Sequence, residues 1–489
     1  MNTKSFAAAL AATLTCFLAT SCGSGDDNSN SSTPPVATEQ PKNVIFLLGD
    51  GYGMVPMTAA RIYAVGESGD LAIDTFPETA FVKTYSNDAQ VTDSAPSMSA
   101  YMTGVKMNNE VISSTQDTLA TDASGKPYID GADSTCPATG NGSAVTTLLE
   151  LAKAAGRATG VVTTTRITHA TPAATYAHIC HRDGENTIAN QMTVGGAGFN
   201  GKLGDGIDVV LGGGWQHFLA KGDPQGSARS DSRDLTAELK AKGYTYVTTQ
   251  TALSATPAST TKLLGLFNRS HMNFDLDRAG TTEPSLAEMT SKAIDVLQKN
   301  PKGYFLMVEG GRIDQALHPT LARKALQDAK AFDDTVAAVI AKVKAIDPEM
   351  KNALIVVTAD HDHTLVLNGY SALTGKTTDT NPGVLGLMRD FTDPSKPALD
   401  ADGMPFTNLV FGNGESRVNT ARSAMAPLTD TVVFDKNYHQ EAAVQMTAGG
   451  ETHGGADVFL GAMGLNAQQF HGLMDNTKVF SLVKNAVGL

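Results

Sequence analysis

Five apolar runs recur along the chain, at residues 43–48, 158–163, 208–211, 304–308 and 353–357, with helix-like patterns at 144–155, 285–299 and 320–345. Short apolar runs of this kind read as buried strands, and strands that alternate with helices pair in parallel beneath two helical layers. The expected fold class is therefore α/β, a largely parallel central sheet with helices on both faces. In such sheets ligands gather beyond the carboxyl ends of the strands. Asp50, Glu309 and Asp360 all stand at those ends.

The segments around these acids carry metal chemistry. Residues 309–318 read E-G-G-R-I-D-Q-A-L-H, and T-A-D-H-D-H later sets Asp360 beside His361. Oxygen and imidazole ligands on tight turns suit zinc and magnesium, with room for more than one ion. Ser94, in V-T-D-S-A-P-S, precedes a helical stretch. A hydroxyl at a helix N-terminus lies in a positive dipole beside free N–H groups, which suits an attacking oxygen and a bound phosphoryl group. Pro96 fits the first turn, where a missing N–H costs nothing. Each piece alone has a plainer reading: Asp93 before a helix is usually a cap, and Asp50 in L-G-D-G could be a turn residue. Likewise T-R-I-T-H-A-T-P with Arg182 downstream could be loop and helix cap, and His453 in E-T-H-G-G a surface loop.

The ends of the chain bear on location. Lys4, an apolar stretch from Phe6 to Leu18 and small residues up to Cys22 read as a secretory signal over 1–21, too short to span a bilayer. Cys22 after Ala19-Thr20-Ser21 resembles a bacterial lipobox, with Ala19 where Leu is usual; plain cleavage with soluble release is the alternative. Residues 22–41, polar and rich in Ser, Asp and Pro, cannot bury a core and are expected to form a tether. A formal net charge of −13 makes nucleic acid and anionic membrane surfaces poor partners, leaving a lipid anchor as the expected membrane contact. An anionic substrate would need a local positive feature, which metals and an Arg would supply. Cys136 and Cys180 could form one disulfide in an oxidising compartment. Two stretches look like insertions: a turn-rich loop at 115–143 and a Gly-, Pro-, Asn- and Thr-rich segment at 365–450, expected to form a small accessory lobe.

Taken in order, Asp50, Asp93-Ser94, His169-x-Thr171-Pro, Arg182, Glu309-x4-Asp314-x3-His318, Asp360-His361-x-His363 and Thr452-His453-Gly454 resemble the alkaline phosphatase family. The resemblance covers residues 42 to about 485, and the E-x4-D-x3-H and T-A-D-H-x-H motifs are its specific part. The stretch after Thr171 and residues 438–458 look more like the animal and marine-bacterial branch than the enteric one. The resemblance implies hydrolysis of phosphate monoesters through a phosphoserine on Ser94, with release of inorganic phosphate. It implies two zinc ions and one magnesium: Asp314, His318 and His453 at one zinc, Asp360 and His361 with Ser94 at the second, and Asp50 bridging to magnesium with Thr171 and Glu309. Arg182 would clamp two phosphate oxygens, and His363 would orient a ligand carboxylate from behind. A homodimer is the family habit. The chain departs from the usual pattern at Pro96 and Met98 after the nucleophile, at His169, which replaces an acid near the third metal and the substrate, and at Gln315, where Lys or His is usual. The His169 imidazole leaves zinc as the alternative at the third site.

Other readings share this metal chemistry. Ser94-Ala95-Pro96-Ser97 matches the first four positions of the sulfatase S/C-x-P-x-R maturation motif, but Met98 replaces the Arg. A phosphodiesterase usually has a Thr nucleophile and lacks a counterpart of Arg182. A non-catalytic metal-dependent surface protein anchored through Cys22 would have no need of a nucleophile.

Overall fold

The computed structural model describes residues 42–489. The expected signal segment, Cys22 and the tether lie outside the described residues. Ten strands build the main sheet: β1 (Asn43–Gly49), β2 (Glu78–Lys83), β3 (Ala158–Arg166), β4 (Val209–Gly213), β5 (Thr245–Val247), β6 (Leu263–Leu266), β7 (Tyr304–Gly310), β8 (Ala353–Ala359), β9 (Val458–Gly464) and β10 (Gly472–Asp475). Their order is β10-β2-β9-β8-β1-β7-β3-β4-β6-β5. All neighbours run parallel except β9, which is antiparallel to both β8 and β2. The expected α/β fold with a largely parallel sheet is what the chain adopts.

Each expected apolar run forms a strand, and β1, β3, β7 and β8 run on past it into segments that bear candidate site residues. β1, β7 and β8 lie side by side at the centre, with Val44 to Leu48, Phe305 to Val308 and Leu354 to Val357 fully buried. Water is therefore excluded from both faces, which explains why these strands are continuously apolar rather than alternating. The helix Ala322–Ile346 packs on Leu286–Leu297 and Met54–Val65, while Asn476–Val487 packs on Ser94–Thr103; β1 touches both sets. The helix expected over 144–155 begins only at Leu148. Thr147 and Glu150 form a capping box there, and their reciprocal bonds to backbone N–H groups fix the start.

Residues 365–450 carry a separate three-stranded sheet made of Leu365–Leu367, Leu409–Gly414 and Ala442–Gln445. The turn-rich segment at 115–143 holds two two-residue strands, Ile129–Asp130 and Asp133–Ser134. A disulfide joins Cys136 in that segment to Cys180, two residues before Arg182. No helix among the described residues is long and apolar enough to cross a membrane.

Candidate active site

The register of the central strands places three carboxylates together. Leu48 of β1 pairs with Thr358 of β8 on one side and Glu309 of β7 on the other, so Asp50, Asp360 and Glu309 emerge at one edge. All three are fully buried. The Gly51 N–H donates to Asp360 Oδ1 at 3.0 Å, fixing the first turn after β1 to the first residue after β8. Gly51 has φ +65°, and a Cβ there would lie 2.4 Å from His363 Nε2, so the turn requires glycine.

Ser94 opens the helix Ser94–Thr103 immediately beside these acids. Asp93 caps the helix by accepting from the Ala95 N–H at 2.7 Å, as the plain reading of the motif expected. All ten residues of the helix are buried, Met98 completely so. Ser97 Oγ donates to the Asp360 carbonyl at 2.7 Å and Tyr101 to the Ala359 carbonyl at 2.9 Å, which ties the helix to the end of β8. Ser94 Oγ therefore sits 3.4 Å from Asp50 Oδ1 and 3.2 Å from His361 Nε2. Asp93 has a second task, because its Oδ1 accepts from Arg182 Nη1 at 2.9 Å. Arg182 Nη2 meets His169 Nε2 at 3.0 Å. Burial works against the Arg182 charge, but Asp93 and Glu110 beside it raise its pKa further above the ordinary arginine value.

Three imidazoles are set as lone-pair donors by what their other nitrogen does. His318 Nδ1 faces the Glu451 carbonyl at 2.6 Å, His453 Nδ1 the Thr92 carbonyl at 2.8 Å, and His361 Nδ1 the Asp362 carbonyl at 3.2 Å. Each Nδ1–H donates to its carbonyl, so the neutral ring offers Nε2 as a lone pair for a metal, and a ring that gains a proton there donates it to the facing carboxylate. The Nε2 atoms of His318 and His453 approach to 3.3 Å, and both lie within 3.5 Å of Asp314 Oδ1. His361 Nε2 faces Asp50 and Asp360 at 3.3 and 3.4 Å. His363 is different. It reaches Asp314 with Nε2 at 2.9 Å and Glu451 with Nδ1 at 2.7 Å, so both nitrogens donate and burial is overcome, lifting its pKa to about 10.

Around Ser94 ligand atoms collect in three sets, Asp314, His318, His363 and His453; Asp50, Asp360 and His361; and Asp50, His169 and Glu309, each within 4.8 Å, while a fourth set, Glu110, His181 and Asp183, has an exposed member. Asp50 Oδ2, Glu309 Oε1, Asp360 Oδ2, Thr171 Oγ1 and His169 Nδ1 are buried without a hydrogen-bond partner. Buried polar atoms are rarely left so, and five of them converging on one space is what cation sites look like. The donor set fits the implied metals: imidazole and carboxylate in the first two groups suit zinc, and the oxygens of Asp50, Glu309 and Thr171 suit magnesium. Electrostatics agree. Burial, Asp360 and Asp314 push Asp50 well above the usual carboxylate range, and burial lifts Glu309 to about 7 against the donors Thr163 and Thr165. Burial also raises Asp360. Asp314, despite its burial, is held well below the usual range by His318 and by hydrogen bonds from His318, His363 and His453.

Every candidate metal-, substrate-binding or catalytic residue read from the sequence thus lies in or beside this space, while Cys22 is outside the described residues. Gln315 is held by Arg312 and turned toward His271. Glu451, which fixes His363 and accepts from the Thr364 N–H at 2.8 Å, went unnoticed in the sequence. Its place two residues before His453 is the one signal that pointed to it.

The whole pattern matches known proteins. The family model for alkaline phosphatase covers residues 41–489. Alkaline phosphatase of Gadus morhua is 35% identical over 467 residues, covering 90% of each chain. The tissue-nonspecific alkaline phosphatase isozyme of Homo sapiens is 35% identical over 472 residues, 90% of this chain and 83% of the human one. Among solved structures, alkaline phosphatase of Thermus thermophilus superposes with TM-score 0.63 at 26% identity, covering 92% of each chain. That of the Antarctic bacterium TAB5 gives TM-score 0.61 at 25% identity, covering 92% of this chain and 98% of its own. The chain belongs to the alkaline phosphatase family, enzymes that hydrolyse phosphate monoesters with the help of bound metal ions.

Proposed function

We propose that the protein hydrolyses phosphate monoesters by way of a phosphoserine on Ser94. The observation that carries this reading is the placement of Ser94 Oγ at a helix N-terminus, in reach of Asp50 and His361, beside an Arg182 pinned by the residue that precedes Ser94. Asp314, His318 and His453 would hold one zinc, Asp50, Asp360 and His361 the second, and Asp50, Thr171 and Glu309 a magnesium. Bound metal ions supply positive charge against the entering and leaving oxygens of an in-line displacement. Ser94 Oγ, aligned by Asp50, forms the new O–P bond while the ester O–P bond breaks and the alcohol departs. Arg182 presents a planar fork to two equatorial oxygens, and Asp93 holds that fork in plane. Water then displaces Ser94 from phosphorus and inorganic phosphate leaves. His363 carries no lone pair toward a metal and acts by fixing the Asp314 carboxylate.

A sulfatase is disfavoured because Met98, at the position that needs Arg, is sealed in the core. The leading sequence supports export through residues 1–21 and lipidation at Cys22, which would place the enzyme in the periplasm or on the cell surface, and the family habit supports a homodimer. One purified sample, with its metal content measured, should be assayed on aryl phosphate, bis-aryl phosphate and aryl sulfate. The reading expects zinc, magnesium and a strong preference for the monoester; preference for sulfate or diester overturns it.

A further inference from the structure

Arg182 is steadied on one side by a carboxylate and on the other by the His169 ring. His169 meets Arg182 with Nε2 and also belongs to the ligand group of Asp50 and Glu309. A further restraint on the ring comes from His271. Its ring meets His169 edge-on, with centroids 5.2 Å apart and planes at 79°. His271 is itself rigidly mounted. It lies in the segment after β6, where the Met272 N–H donates to the Thr164 carbonyl at 3.0 Å, and where a Cβ on Gly213 would fall 2.1 Å from the Ser270 carbonyl oxygen, so the segment lies directly on β4. Arg166 donates to His271 Nε2, and Arg166 is in turn gripped by Glu185 at 2.8 and 3.0 Å. From the other side Gln315 Nε2 approaches the His271 ring at 3.0 Å, its own orientation set by Arg312, which donates to Gln315 Oε1. Two half-buried arginines, Arg166 directly and Arg312 through Gln315, therefore bear on a ring that hydrogen-bonds neither Ser94 nor Arg182.

We propose that His271 is a positioning residue for phosphate binding: by backing the His169 ring it holds the Arg182 guanidinium in the orientation that grips the phosphoryl oxygens. The proposal rests on the reading of Arg182 as the phosphate clamp. It also gives Gln315 a task suited to an amide, which is to buttress His271 rather than to approach the substrate. An edge-to-face aromatic contact of this kind accounts for a change of roughly three- to tenfold in an equilibrium constant.

The test compares the inhibition constant of inorganic phosphate and the KM for aryl phosphate across variants of the metal-loaded enzyme, with Tm measured for each. Arg182→Ala is the control for the clamp itself: if it leaves phosphate inhibition unchanged, the clamp reading fails first. Given a working clamp, His271→Ala should raise both constants roughly three- to tenfold without a proportional fall in kcat. Since His271 acts through His169, the double variant His169→Ala/His271→Ala should bind phosphate as His169→Ala does. Fully additive losses, or unchanged phosphate inhibition in His271→Ala beside a weakened Arg182→Ala, overturn the proposal. Should His271→Ala fail to fold, His271→Phe keeps the ring without the acceptor and His271→Gln keeps an acceptor without the ring. Phe should then bind phosphate close to the parent enzyme and Gln more weakly; the reverse order overturns the proposal.

Discussion

Two groups of ligand atoms meet beside Ser94, and they balance their charge in opposite ways. Around Asp314, the imidazoles of His318, His363 and His453 surround one carboxylate, and Glu451 answers His363 from behind. Across the site, Asp50, Asp360 and Glu309 crowd together, each with a buried oxygen that has no hydrogen-bond partner, while burial keeps the neighbouring His361 neutral. The first group is a closed ion network that holds its shape from within. The second is a set of buried acids whose mutual repulsion a cation must offset. His318 is also 30% exposed at its side chain, whereas Asp50, Glu309 and Asp360 are sealed, so the first group faces the opening and the second the core. The acid group is thus expected to depend on bound metal for its stability, and the imidazole group mainly for its chemistry.

The largest expected effect concerns the atom between the groups. Ser94→Ala should lose the phosphoenzyme and cut turnover by about 10³-fold or more, because the bond-forming oxygen is gone. Acid quench and mass spectrometry would check it, and a phosphoryl group trapped on another residue would move the nucleophile elsewhere. Chelation should likewise abolish activity, and zinc with magnesium should restore it; full activity in a rigorously metal-free sample contradicts the ligand assignment. Arg182→Ala should cost about 2–4 kcal/mol of transition-state stabilisation for a monoester, read from kcat/KM. A diester carries less charge and should lose less; equal losses would make Arg182 a structural residue.

A smaller effect separates the two groups by pH. Glu309 has its pKa raised from 4.5 to about 7, mainly by burial. A raised carboxyl pKa means the folded state holds a proton that the unfolded chain releases, so its contribution is present below pH 4.5 and lost as pH rises toward 7. In the chelated protein this amounts to about 3 kcal/mol, measurable by denaturant unfolding at a series of pH values. Asp314 runs the other way: its depressed pKa contributes stability above pH 3.8 that is lost as pH falls below that value. Glu309→Gln should therefore reduce the slope above pH 4.5, the remainder belonging to Asp50 and Asp360, whose pKa values are raised as well, and an unchanged slope would assign it elsewhere. The smallest effect is expected at His169, the nitrogen among the oxygens. His169→Asp should shift the third site toward magnesium, since magnesium favours an all-oxygen shell. Anomalous diffraction at the zinc edge on both proteins would check it, and magnesium there before and after would refute the role of the imidazole.

The groups also differ in how legible they were. The acids at the ends of β1, β7 and β8 follow continuous apolar runs, and a parallel sheet makes the end of each run a ligand position, so local pattern alone was enough to place them. β2 could not be read this way, because Glu78–Lys83 alternates buried and exposed residues, and the three- and four-residue strands β5, β6 and β10 are too short to carry a pattern. His318, His363 and His453 come from three separate segments, and only the order of motifs along the whole chain drew them together. Glu451 stands in the His453 segment with nothing in the sequence to give it a role, and His271 follows no motif. Their partners, His363 and His169, lie 88 and 102 residues away, so each becomes visible once the fold brings them into contact. The plainer reading of T-R-I-T-H-A-T-P as loop and helix cap does not hold for Arg166, which ends β3 and grips Glu185.

The claim that the acid group waits for a cation while the imidazole group is complete without one is tested most directly by melting the chelated protein at neutral pH with one acid neutralised on each side. Glu309→Gln removes a buried negative charge and lets the new amide N–H donate toward Asp50, so its Tm should rise. Asp314→Asn strips three imidazoles of their counter-charge, so its Tm should fall, the two variants differing by about 2–5 kcal/mol of stability. Shifts of the same sign in both variants would contradict the account.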